Sequence, residues 1–396
     1  MKKLKILLVC AFILAIPRIW AADFGILLDQ TAGLGGIGSN KNFDYSGMLI
    51  PRFSALLGEK GDLYISAGFR VEYQDGFSMF PELLRTEFSY RSGDAEIRAG
   101  RMHYSDPLGF VAEGLFDGAR FSLDTAAGTV NIGAWYTGLL FKKRANITMT
   151  AADLQSNFDE LDYSDFLNTY FAPRRVMAAL DWEHPGVAEL IRLNIGILGQ
   201  MDLAGKGRLH SQYLNARAMI PASAFVFSLG GSLGLMEAED EDLSIALAGE
   251  LAAAFAIPAA FDSQISFLGR FSSGVSKNGK IAAFVPVTTQ NQGNILKAKL
   301  SGLSLLSLDY TARVLPSLSA SLTASYFIRS DLGTYQNLGA EGYALGLEMY
   351  GRMLWSPISD LQISLGGGAF LPALGNAAPK ADVLWRAELG VILSLY

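Results

Sequence analysis

The sequence predicts an all-β fold: a transmembrane, antiparallel up-and-down β-barrel of about 18 strands, with about 16 as the alternative count. Three observations predict it. The first is period-two alternation in run after run of the 396 residues, with no apolar run of transmembrane-helix length beyond the amino-terminal segment. The second is charge. One parity of these runs is apolar and nearly free of charge away from strand ends. The other carries Arg52, Arg70, Arg85, Arg98, Arg120, Arg175, Arg192, Arg217, Arg270, Arg313, Arg329, Arg352 and Arg386. A charge facing acyl chains at mid-bilayer costs about 2–4 kcal/mol, so a lipid-facing parity excludes it. The third is the connections, which alternate short and long as they do between the two rims of a membrane barrel.

A soluble sandwich also alternates, but its apolar parity faces a second sheet across a core only about 10 Å thick. That fold gives no reason for a strand at the very carboxyl terminus of an exported chain. The closing run, 382–396, shows the pattern most cleanly. Val383, Trp385, Ala387, Leu389, Val391, Leu393 and Leu395 share one face, against Arg386, Glu388, Gly390 and Ser394 on the other.

In chain order the strands are expected at 24–32, 43–57, 62–74, 83–92, 94–101, 117–125, 129–142, 174–183 and 188–200. They continue at 208–220, 222–235, 243–256, 263–273, 294–314, 317–329, 341–354, 361–371 and 382–396. In the third, Leu63, Ile65, Phe69 and Val71 oppose Arg70 and Glu72; in the fourth, Leu84, Phe88 and Tyr90 oppose Arg85, Glu87 and Arg91. From 294 to 314 one parity persists through Leu296, Ala298, Leu300, Leu306, Leu308 and Tyr310, which predicts one long strand and leaves 274–293 as a loop. Residues 281–287 have the length of a short hairpin strand within it. Pro185, Pro221, Pro258, Pro316 and Pro357 sit at short turns, where a missing ladder donor does no harm.

The amino end has Lys2, Lys3 and Lys5, an apolar run over 6–16, then Ala21 and Ala22: the layout of a secretory signal peptide over 1–21, leaving one barrel domain over 22–396. Cys10 is the only cysteine, so the exported chain has no disulfide framework. Loss of Lys2, Lys3, Lys5 and Arg18 takes the formal charge from -6 to -10, which argues against nucleic acid as a partner.

The motifs carry little chemistry. Gly33, Gly35 and Gly38 match a dinucleotide fingerprint but lack the helix that should follow, so the stretch is expected to be an outer turn. The phosphate-loop match over 274–280 has Ile281 where a metal-binding hydroxyl belongs. His103, His184 and His210 are dispersed, and His103 with Asp106 is the one catalytic cluster to consider, read as chance proximity. The acidic run 237–242 reads as a solvated loop tip.

The last residue, Tyr396, is aromatic, and the final strand resembles the closing strand of bacterial outer-membrane barrels, although Tyr396 sits on the polar parity. By architecture the chain resembles the porin class over 22–396. That resemblance implies a place in the bacterial outer membrane, with its lipids and the barrel-assembly machinery as partners. It implies small-molecule solutes as cargo, no cofactor, no metal and no enzymatic activity; a homo-oligomer is compatible with it. The implied function is a passive channel for small hydrophilic solutes, anionic ones included. The expected pore lining is Arg70, Arg85, Arg98, Arg120, Arg175, Arg192, Arg217, Arg270, Arg313, Arg329, Arg352, Glu72, Glu87 and Glu348. Loop 143–173, extracellular and too long to be idle, is the expected constriction, with Asp153, Asp159, Glu160, Asp162 and Asp165. The alternatives are a plugged or gated transporter of hydrophobic solutes, with residues 107–116 as an apolar gate, a surface adhesin, or a barrel-borne enzyme.

Overall fold

The computed structural model describes residues 19–74, 76–187, 190–258, 261–276, 281–331 and 342–396. The expected leader lies outside these residues except for its last three, which open the first strand. Eighteen strands form one closed antiparallel sheet. They are β1 (Ile19–Ile37), β2 (Asn40–Leu57), β3 (Gly61–Tyr73), β4 (Phe77–Ser92), β5 (Ala95–Ser105), β6 (Glu113–Thr125), β7 (Gly128–Tyr136), β8 (Arg175–Val187), β9 (Ile191–Asp202), β10 (Leu209–Ala222), β11 (Phe225–Ala238), β12 (Ser244–Ile257) and β13 (Ser263–Ser272), then β16 (Leu303–Leu315), β17 (Leu318–Arg329), β18 (Ala344–Ile358), β19 (Leu361–Leu371) and β20 (Leu384–Leu395). Each pairs with its sequence neighbour, and β1 closes the ring on β20 from Ile26↔Leu395 to Ile37↔Leu384. The two remaining strands, β14 (Asn291–Gln292) and β15 (Ala298–Lys299), pair only with each other.

One barrel strand falls in each of the expected runs, and the apolar parity faces outward: Leu229, Leu308, Leu365 and Leu389 are all exposed. On the inner parity of β20 lies the departure at Tyr396. The Arg52 guanidinium stacks over its ring at 4.3 Å and donates to Ser394 Oγ at 2.8 Å. Pro185 and Pro357 fall at register shifts near the ends of β8 and β18, where the ladder is already interrupted.

Four expectations are corrected. The run 294–314 is not one strand. Only Leu303–Leu315 joins the barrel, and Ile295, Leu296, Ala298 and Leu300 pack against buried clusters inside it. An apolar residue has the same parity signature whether it meets lipid or an internal core. Residues 281–287 form no strand; Ile281 makes an isolated bridge to Ile245. Leu84 is buried, not lipid-facing, because the β3–β4 register slips between Ser66↔Arg85 and Ala67↔Leu83, and one extra residue reverses parity.

The glycine-rich stretch expected in an outer turn is strand: Gly33 to Ile37 pair with both β2 and β20. Gly36 is required there because a Cβ would lie 1.9 Å from the backbone carbonyl oxygen of Asn40.

Candidate functional site

Because the sheet closes, its inner face encloses a lumen, and three connections turn into it. The first, 106–112, joins β5 to β6. The second, 137–174, joins β7 to β8 and contains helices α1 (Lys142–Ala145), α2 (Ala151–Phe158) and α3 (Phe166–Tyr170). The third joins β13 to β16 and includes the small hairpin of β14 and β15.

The first connection is shaped by Asp106. Its carboxylate accepts the N–H groups of Leu108 at 2.8 Å, Val111 at 2.9 Å and Ala112 at 2.8 Å, so it is committed to a turn rather than to chemistry with His103. The turn presses Leu108 onto Gly230 of β11, where a Cβ would come within 2.5 Å of the leucine methyl. Phe110, Val111 and Ala112 are fully buried, packed with Ile147 and Met149 of the second connection and Phe284, Val287 and Leu300 of the third. The three segments are also stitched by hydrogen bonds. Val287 N–H donates to Val111 C=O at 2.7 Å, Thr289 N–H to Asn146 C=O at 2.8 Å, and Glu113 N–H to Thr288 Oγ1 at 2.8 Å. Together they form an apolar plug against the wall of β5 to β12.

Ionic anchors tie the plug to the barrel. Arg175, 0% exposed, donates to Asp153 at 2.6 Å and lies 2.9 Å from Asp202. Arg144 of α1 pairs with Glu82, which also holds Arg70 at 3.1 Å. Glu348, 1% exposed, accepts the N–H groups of Asn294, Ile295 and Leu296 at 2.6, 3.1 and 2.9 Å. Arg175, Arg329 and Glu348, expected in the pore lining, are instead buried braces: charge on the inner parity does not distinguish a wet wall from one covered by a loop.

The remaining expected residues lie on the parity opposite the exposed apolar one. Glu87 is shared by Arg85 at 2.7 Å and Arg98 at 3.6 Å; Glu250 is shared by Arg217 and Arg270. Arg70 also meets Glu72 at 3.2 Å, and Arg120 donates to Asn131 Oδ1. Arg192, Arg313 and Arg352 are exposed toward the short-turn end and have no carboxylate within 4 Å among the described residues. On the wall of β6 to β10 two adjoining cavities of about 270 and 450 Å³ share Glu183, Asn194 and Arg217. Arg120, Arg217 and Arg192 line them in succession from the underside of the plug, at Tyr104 and Pro107, toward the turn before β9.

Loop 143–173 divides in two. Residues 145–149 belong to the plug, but of the five expected acids only Asp153 is buried. Asp159, Glu160, Asp162 and Asp165 are exposed and make local contacts: Asp162 accepts from Ser164, and Asp165 from Asn168. Of the expected constriction acids only Asp153 joins the buried plug; the other four are exposed, as are Phe158, Tyr163 and Leu167 beside them. Hydrogen bonds from Ser164 hold Asp162 below the usual carboxylate range. Glu239 in the other acidic run is held low by the N–H groups of Gly207 and Arg208.

One ion pair was not legible from periodicity. Arg101 and Asp117, directly opposite on β5 and β6, sit on the apolar parity and bond at 2.7 and 2.8 Å. β4 and β5 pair only from Thr86↔Arg101 to Ser92↔Ala95. Above that point Arg101 donates to the carbonyls of Leu83 and Leu139, and Tyr163 and Tyr170 bond the free edge of β4 at Met79 and Pro81. The second connection thus completes the wall, and shields a charge pair that lipid would not tolerate.

No protein-family profile matches this chain, and no curated sequence does. Solved structures do match. The chain is similar to Pseudomonas aeruginosa OccK2 (OpdF), with a TM-score of 0.63 at 12% identity over 96% of this chain and 99% of that one. The outer membrane protein opdK of P. aeruginosa gives 0.62 at 12% identity over 95% and 99%, and a BenF-like porin from Pseudomonas fluorescens gives 0.62 at 10% over 95% and 100%. At such identities the likeness is one of fold, and it extends over nearly the entire length of each: this is an 18-stranded barrel built as outer-membrane porins are built.

Proposed function

We propose that the protein is a passive outer-membrane channel for small hydrophilic solutes, with a preference for anions. The observation that carries this reading is the sharing of lumenal carboxylates: Glu87 and Glu250 each serve two arginines, and Arg192, Arg313 and Arg352 have no acidic partner among the described residues. A surplus of cations inside a narrow, low-dielectric wall outweighs the more numerous acids at loop tips, which water and salt screen beyond about 8–10 Å. The fold shared with porins supports the outer-membrane setting. The plug favours a narrow, selective passage over a wide one, and the charged wall disfavours hydrophobic cargo.

Purified protein in planar bilayers under a salt gradient tests this. The expected reversal potential is that of a weakly anion-selective pore. Clear cation selectivity would overturn the arginine argument, and absence of conductance would overturn the channel itself.

A further inference from the structure

Between β4 and β5 the barrel wall is not closed by strand pairing alone. β3 pairs with β4 as far as Tyr73↔Phe77, and β5 with β6 as far as Ser105↔Glu113, but β4 and β5 pair only as far as Thr86↔Arg101. Above that rung lies a notch, open toward the long-loop end, along which side chains take the place of a partner strand. Tyr163 Oη accepts from Met79 N–H at 2.9 Å and donates to Met79 C=O at 3.2 Å, and Tyr170 Oη donates to Pro81 C=O at 3.0 Å. Pro81 has no N–H to leave unpaired, which suits an edge position. Arg101 spans the base of the notch. It bonds Asp117 of β6 at 2.7 and 2.8 Å and donates to the carbonyls of Leu83 on β4 and Leu139 of the second connection.

The filling of the notch is apolar and packed side chain against side chain. Phe80, Phe141 and Tyr170 form a buried cluster, with ring centroids 4.6 Å apart for Phe80 and Phe141 and 5.0 Å for Phe141 and Tyr170. Beneath it a cavity of about 10 Å³ remains, about the volume of one water probe. Leu83 and Leu115 line it from the outer parity, Glu82 and Phe116 from the inner one, and Leu140 and Phe141 from the second connection. The outer rim is apolar too: Met79 and Leu83 of β4, and Leu139 and Leu167 of the second connection, are all exposed.

We infer that this notch is a binding site for an acyl chain of an outer-leaflet lipid, which enters between Leu83 and Leu139 and lodges against Phe116, Leu140 and Phe141. Paired strands about 4.8 Å apart leave no room for a chain, and parting them in lipid would strip backbone groups of their partners. In the notch only side chains have to move. Arg101 releases Leu83 and Leu139 while it keeps Asp117, and Leu140 and Phe141 change rotamer. The long-loop end is the outer-leaflet side in this architecture, so the exposed rim meets lipid chains. Charge ends the site on the inner side, where Glu82 holds Arg70 and Arg144. The chain therefore stays in the wall and is not cargo, and the site stands whether or not the lumen conducts.

The test is carbene labelling in lipid vesicles. Purified full-length protein is reconstituted with a phosphatidylethanolamine whose acyl chain ends in a diazirine, and labelled residues are mapped by mass spectrometry after illumination. Phe116, Leu140 and Phe141 should be labelled along with the outward-facing Leu308 and Leu365. Tyr350 and Phe370, buried behind paired stretches of β17 to β20, should not. Arg101→Met with Asp117→Asn removes the brace without orphaning its partner. That variant should raise labelling of Phe116 and Phe141 about 10-fold, the typical worth of one hydrogen bond to a charged group. Tyr163→Phe with Tyr170→Phe should raise it as well. Heat-modified gel migration equal to wild type establishes that each variant is folded. Label confined to outward-facing residues in wild type and both variants would overturn the site, as would equal labelling of Phe116 and Tyr350. A rim left unlabelled at Leu83 and Leu139, with a crosslinked dimer on the gel, would show that a second copy covers the notch and would overturn it likewise.

Discussion

At the scale of single residues, the inner-facing charges divide by what they bond. Arg85 and Arg98 share a carboxylate in the wall, whereas Glu348 is spent on three backbone N–H groups of a segment that crosses the lumen. Removing that acceptor strands three donors in a buried site, and each unsatisfied group costs about 1–3 kcal/mol. Glu348→Ala should therefore destabilise the fold by about 3 kcal/mol or more. Because the released segment narrows the lumen, conductance should rise. Unfolding in denaturant and single-channel recording check the two halves; an unchanged conductance would show that residues 294–296 stay in place without the brace. Both Arg and Glu on the inner parity are visible in the sequence. Which of them meets water and which meets a folded-in loop depends on contacts 53 and 54 residues apart, and no local pattern encodes those.

At the scale of elements, the strands follow from alternation and the turns from proline and glycine, so one barrel strand falls in each expected run. The errors come where alternation changes its meaning. A bulge in β4 reverses Leu84, and the shift between Phe327 and Ile328 on β17 reverses the start of β18 in the same way. Lipid and lumen faces are best tested away from such shifts, on β16. Leu308, 54% exposed, faces outward, and Thr311, at the opposite parity, faces the lumen. Leu308→Arg should cost about 2–4 kcal/mol and sharply lower the folded fraction in lipid vesicles, while Thr311→Arg should be tolerated. Equal yields of folded barrel from both would mean that the faces are reversed.

At the scale of the whole molecule, closure of β1 on β20 leaves the sheet without an edge strand, and where the upper part of β4 lacks a β5 partner the second connection covers it with Tyr163 and Tyr170. No helix among the described residues is long and apolar enough to cross a membrane, and the closed barrel presents its apolar parity outward. Short turns at one rim and long connections at the other set the orientation. A cysteine at Glu239 should react with an impermeant thiol reagent on intact cells, and one at Ser317 should not. The reverse labelling would invert the molecule. The third position that the pattern offers for this purpose, Asn337, lies outside the described residues.

The sequence by itself determined the barrel. Strand number, most strand limits, the apolar outer face and the concentration of arginine on the inner one are all local consequences of period two and of the cost of charge in lipid. It offered residues 107–116 as an apolar gate only under the alternative, hydrophobic-solute reading, and marked loop 143–173 as too long to be idle. Only the tertiary structure decided what the lumen contains. Phe110, Ile147, Phe284 and Leu300 are apolar residues from three separate connections, and they become a plug because the closed wall gives them a shared, water-poor space. The same closure buried Arg175 and Glu348 and brought Lys299 to Thr148 across 151 residues of chain. Alternation records which side of a strand a residue takes; it holds no record of what stands opposite.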